Sequence, residues 1–107
     1  MENIKDYQQY LEGYGFEGNT PTVIDFFATW CGPCQAMSPM LQRLAQEYEG
    51  RLKVIKIDVD QNQELASAAR IMSIPTLFFI NKDGEIQRYI GSMPYQQLSA
   101  LAEQIVD

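Results

Sequence analysis

Cys31 and Cys34 are the only cysteines in the chain, and they stand three positions apart in Thr29-Trp30-Cys31-Gly32-Pro33-Cys34. Two thiols at that spacing serve three kinds of chemistry: half of a metal site, a structural staple, or a disulfide that is made and broken in turn. A structural zinc site takes four ligands, and the chain has no histidine to supply the other two. A metal shared between two chains is what remains of that option. A staple across so short a loop removes little entropy from the unfolded chain, and two cysteines cannot build the multi-bridge framework of a small secreted scaffold. A redox pair uses both thiols and needs neither further ligands nor a long loop.

The flanking residues favour thiolate chemistry. Thr22 to Ala28 is nearly continuous apolar and β-branched, which predicts a strand buried on both faces. After the cysteines, Met37, Met40, Leu41, Leu44, Ala45 and Tyr48 recur at helical spacing, closed by Gly50. The strand therefore delivers Cys31 to the start of a helix, at the carboxyl end of a sheet, where α/β sites usually lie. Unpaired N–H groups and the helix dipole favour an anion there, and the thiolate is the attacking form of cysteine. Cys34 follows one turn on, on the same face, within reach of a disulfide without backbone movement. Pro33 has no N–H to lose in a first turn, and Gly32 lets a partner's backbone approach.

The other elements must hold this junction in place. Leu52 to Asp58 alternates as a second strand, and Leu65, Ala68 and Ala69 mark a short helix. Thr76 to Ile80 and Glu85 to Ile90 flank Asn81-Lys82-Asp83-Gly84 and predict a hairpin. Tyr95, Leu98, Leu101 and Ile105 form one face of a C-terminal helix with Pro94 in its first turn, and Ile4, Tyr7 and Leu11 suggest an N-terminal helix before a Gly-rich loop from Gly13 to Gly18. This order implies an α/β fold, a mixed sheet with helices on both faces and a right-handed first crossover. Residues 1–107 read as one domain, without repeat or linker.

Composition narrows the partners. A net charge of −6 argues against nucleic acid, which requires a basic face. No apolar run approaches the roughly 20 residues of a membrane span. The start Met-Glu-Asn-Ile-Lys-Asp-Tyr lacks the basic and apolar regions of a signal peptide. A cytoplasmic protein is expected, with a processed periplasmic form as the alternative.

Trp30-Cys31-Gly32-Pro33-Cys34 resembles the active-site motif of the thioredoxin family, and more of that pattern follows at the expected distances. Val23-Ile24-Asp25-Phe26 precedes it, Pro39 interrupts the helix after it, and Asp58-Val59-Asp60 ends the next strand. Ile74-Pro75-Thr76 opens the hairpin, Gly84 lies at its turn and Gly91 follows. The similarity runs over roughly residues 21 to 107. It implies the thioredoxin fold, with a central mixed sheet of four or five strands. It also implies that Cys31 is an exposed nucleophile and Cys34 a buried resolving thiol. Asp25 matches a buried aspartate that relays the proton of the resolving thiol, and Lys56 the lysine beside it. Pro75 matches a cis proline next to the disulfide, and the Ile74 backbone would bind an extended client. Trp30, Gly32, Pro33, Ile74, Pro75 and Gly91 would form the docking surface.

Three features depart from the family pattern. Met1 to Gly13 leads directly into helix, so the first family strand is absent or shortened. Phe27, which reads best as a core aromatic, stands where many members have a second tryptophan, and Gln35 stands where a lysine often follows the second cysteine. The function implied is a monomeric thiol:disulfide oxidoreductase that reduces client-protein disulfides. It would hold no bound cofactor and draw electrons from an external thioredoxin reductase. An oxidase or isomerase would place histidine between the cysteines, because His⁺ stabilises the reduced thiolate; here the dipeptide is Gly-Pro. A non-catalytic interaction module would have no use for two cysteines and Asp25.

Overall fold

The structure, a computed structural model, describes residues 2–106. The chain forms β1 (Thr22–Phe27), α1 (Gly32–Glu47), β2 (Lys53–Asp58), α2 (Gln63–Ala68), β3 (Thr76–Ile80), β4 (Ile86–Ile90) and α3 (Tyr95–Val106), preceded by a 3-10 helix at Ile4–Tyr10. Among the described residues the sheet has four strands in the order β2-β1-β3-β4. β1 runs parallel to β2 and antiparallel to β3, and β3 and β4 form the expected hairpin. The shortened start is thus observed: in place of a first strand, Asn3 makes one isolated antiparallel bridge to Glu85.

Side chains alternate across a strand, and that alternation builds two cores. Val23, Leu77 and Phe79 face α1 and α3, where they meet Met37, Leu41, Leu44, Leu98, Leu101 and Ile105. Ile24, Phe26, Ile55, Ile57, Phe78 and Ile80 face the other way, against Leu65 and Ala69 at α2 and Ile4 and Leu11 around the 3-10 helix. The same alternation decides where Asp25 goes. It shares the face of Val23 and is driven beneath α1, and its register partner Lys56 shares the face of Val54 on that side.

One expectation about helices is refined and one is corrected. The N-terminal helix is 3-10, not α, because Ile4, Tyr7 and Tyr10 recur every three residues and all pack on the second core. Pro39 does not interrupt α1, which continues to Glu47 with the proline inside it; the ring removes one N–H donor and the packed face of Met37, Leu41 and Leu44 carries the helix through. Pro94 stands just before α3, and its carbonyl accepts from Gln97 and Leu98. At the hairpin turn the Asn81 side chain accepts from the N–H groups of Asp83 and Glu85. Gly84 takes φ +83 there, and a Cβ at that position would meet the Asn3 side chain at 2.9 Å.

Candidate active site

β1 ends at Phe27 and α1 begins five residues later at Gly32, with Cys31 as the N-cap in extended conformation and Pro33 in the first turn. Cys31 and Cys34 are joined in a disulfide with their Cα atoms 5.3 Å apart. The Cys31 sulfur accepts the N–H of Cys34 at 3.2 Å, one of the donors a helix start leaves unpaired. Negative charge on that sulfur is stabilised by the N–H and by the dipole of a 16-residue helix.

The expectation of an exposed Cys31 is corrected. Cys31 is 5 % exposed and Cys34 3 %, because Phe27, Ala28, Val59 and Ile74 close around the pair. What distinguishes the two sulfurs is the helix N–H that Cys31 receives.

The loop before β3 forms one wall. The Ile74–Pro75 bond is cis, and the Ile74 carbonyl oxygen lies 3.9 Å from the Cys31 sulfur. Gly91, at φ +95, donates its N–H to the Pro75 carbonyl at 2.8 Å and so ties the end of the hairpin to this loop. Trp30 stands on the other side, 70 % exposed, its indole N–H donating to Asp60 at 2.9 Å. Asp60 in turn donates its backbone N–H to the Asp58 carboxylate. Gly32 is open, with nothing from beyond its chain neighbours and its own helix backbone within 4 Å of where a Cβ would lie. The Gln35 amide folds back to donate to the Thr29 carbonyl, so this position brings no cation to the sulfurs.

Asp25 is fully buried, and neither carboxyl oxygen has a hydrogen-bond partner among the described residues. Burial pushes its pKa up to about 6, against the opposing pull of the Lys56 ammonium. Lys56 neighbours Asp25 in register, yet its ammonium donates to the Ser38 hydroxyl at 2.9 Å and lies 4.7 Å from the centre of the Phe27 ring. Phe27, read from the sequence as a core aromatic only, is therefore also a cation–π partner. A cleft of about 270 Å³ beside these groups is lined by Phe27, Ala28, Thr29, Cys34, Gln35, Ser38 and Lys56.

Of the residues expected at the site, Ile74 packs on the cysteine pair together with Phe27, Ala28 and Val59, and sequence reasoning missed Asp60 and Ser38 as partners of Trp30 and Lys56. An indole N–H near the surface needs an acceptor, and the Asp58-Val59-Asp60 run at the same end of the sheet was the available signal. Ser38 gave none.

The family model for thioredoxin matches residues 3–104. The chain belongs to the thioredoxin family. It is 40% identical over 88 residues to the thioredoxin of Borreliella burgdorferi, covering 82% of this chain and 74% of that protein. With the thioredoxin of Staphylococcus saprophyticus it shares 43% over 82 residues, covering 76% and 78%. Among solved structures, chloroplastic thioredoxin z superposes with a TM-score of 0.77 at 43% identity, over 81% of this chain and 79% of that one. A variant thioredoxin from Halobacterium salinarum gives 0.75 at 39% identity, over 83% and 77%. The four-stranded mixed sheet flanked by helices is the thioredoxin fold. With the cysteine pair at disulfide distance, the chain is a thiol:disulfide oxidoreductase. Thioredoxins carry their redox chemistry in that pair, and the family works with thioredoxin reductase and disulfide-bearing clients. No helix among the described residues is long and apolar enough to cross a membrane.

Proposed function

We propose that the chain is a general reductase of protein disulfides in which Cys31 attacks and Cys34 resolves. The N–H that Cys34 donates to the Cys31 sulfur carries this assignment, because it favours the thiolate at Cys31. The Cys31 thiolate attacks one sulfur of the client disulfide, forming a mixed disulfide and releasing the other client sulfur as thiolate. Cys34, losing its proton, then attacks the Cys31 sulfur; the Cys31–Cys34 bond forms and the second client thiolate leaves. The client gains two electrons and the pair loses two. Thioredoxin reductase is the electron donor in this reading, and the chain works as a monomer in a cytoplasmic setting.

Asp25 accepts the proton of Cys34, for which a carboxyl titrating near neutrality is suited. Lys56 moderates it. The client backbone lies along Ile74 and Pro75, over a rim of Trp30, Gly32, Pro33 and Gly91. The exposed side chains of Met72 and Ile90 extend this apolar rim, which suits many sequences and selects few.

Insulin reduction driven by dithiothreitol, then by NADPH and a thioredoxin reductase, tests the reading. Both should proceed. Cys31→Ser should abolish turnover, and Cys34→Ser should accumulate a mixed disulfide on Cys31, identified by mass spectrometry of trapped adducts. Adducts preferentially on Cys34 in the Cys31→Ser protein would reverse the assignment.

A further inference from the structure

The Lys56 ammonium has three possible partners on its face of the sheet, and only two hold it. The Ser38 hydroxyl accepts from it at 2.9 Å and the Phe27 ring lies 4.7 Å away. The third is the Asp25 carboxyl, its neighbour across β1 and β2, which forms no hydrogen bond and belongs to no ion pair among the described residues. An unpartnered buried carboxylate attracts any ammonium free to reach it, since pairing offsets part of its lost hydration. The exposed Lys56 keeps its hydration outside that pocket, and a side-chain acceptor there fixes where its ammonium stands. Gln35 lines the same cleft but is engaged with the Thr29 carbonyl, and the Ser38 hydroxyl is the acceptor that Lys56 meets.

We propose that Ser38 is a positioning residue for the resolving step: its hydroxyl, with the Phe27 ring, holds the Lys56 ammonium at the Cys34 cleft and out of contact with the Asp25 carboxyl. Resting on the relay role proposed for Asp25, this makes a neutral side chain of α1 the setting on the strength of the base. A lysine drawn onto Asp25 would leave a weaker base; a lysine held by Ser38 leaves a stronger one. The charged groups around Asp25 are few. From β2 it faces Lys56, and from β3 its register partner is the apolar Leu77, so among the described residues Lys56 is the charge that acts on it. The thiol of Cys34 joins them only after reduction, so the disulfide form isolates the coupling.

The test follows the Asp25 carboxyl carbon by NMR across pH in the oxidised protein. Ser38→Ala should lower the titration midpoint by about one unit, as an opposite charge a few ångströms away does, and Ser38→Thr, which keeps the hydroxyl, should restore it. In a Lys56→Met background Ser38→Ala should move nothing. An unmoved or raised midpoint in Ser38→Ala would overturn the proposal, and so would an equal fall in the Lys56→Met background, because Ser38 would then act by some other route. The relay role is judged separately, by release of the mixed disulfide in Asp25→Asn, so either can fail without the other.

Discussion

Asp25 sits with both oxygens buried and unbonded, so its ionisation costs folding energy that an exposed carboxylate does not. Its unfolded value is near 3.8 and its native value about 6. Between those values the native state holds the proton that the unfolded chain has lost. Stability therefore falls as pH rises through that window, and the loss is complete above it, at about 3 kcal/mol. Asp25→Asn does not titrate, so relative to the parent it should gain most of that amount between pH 4 and pH 7.5. Denaturant melts of the oxidised proteins would measure it; a difference independent of pH would mean that the group titrates alike in both states. In the reduced protein the same substitution should slow release of the mixed disulfide near neutral pH, with a defect that shrinks in alkali, where Cys34 ionises unaided. Cys31, Cys34 and Asp25 were legible in the sequence because each declares itself locally, the thiols by spacing and the carboxyl by the apolar strand around it. Ser38 and Asp60 act on side chains 18 and 30 residues away. For Asp60 the one signal was the acidic run at the end of β2, and nothing in the residues beside Ser38 points across that distance.

At the scale of elements, β1 and β3 were plain from the sequence because both faces are buried, and a strand with two apolar neighbours has no polar face to confuse its period. The N-terminal helix was ambiguous for a geometric reason. Over two turns the 3-10 and α periods differ by about one residue, and Ile4, Tyr7, Tyr10 and Leu11 satisfy either. The joint between α2 and β4 had no sequence signature at all. Arg88 donates to the carbonyls of Ala69 and Arg70 at the end of α2, pairs with Glu2, and lies over the Phe78 ring at 4.8 Å. Arg70 itself has φ 55, so the chain turns sharply where the guanidinium holds it. Arg88→Lys keeps the charge but loses the planar fork. It should lower stability by about 1 to 3 kcal/mol. Hydrogen exchange should also rise at Ile71 and through the loop to Ile74. Loss of stability without faster exchange in that loop would show that Arg88 supports only the N-terminal segment.

The whole molecule is acidic, with a net charge of −6, and the site offsets little of it: Lys56 is the cation at the cleft, while Asp60 lies under Trp30 and position 35 carries a neutral amide. Its field should sort substrates by charge before any contact forms. Reduction of the cationic disulfide cystamine should slow as ionic strength rises from about 0.01 to about 1 M, and reduction of an anionic dicarboxylic disulfide should quicken, because salt screens attraction and repulsion alike. Parallel salt dependences for the two would mean that the field at the disulfide is neutral. The strand order carries a different consequence. β2 lies at the margin of the sheet, and its run Val54-Ile55-Lys56-Ile57 would, with an apolar residue in third place, be a flat hydrophobic segment of the kind that recruits identical strands and grows into fibrils. Lys56 is exposed there. The ammonium that tempers a buried base is also a guard against self-templating, so selection on this one side chain answers to colloidal survival as well as to redox rate.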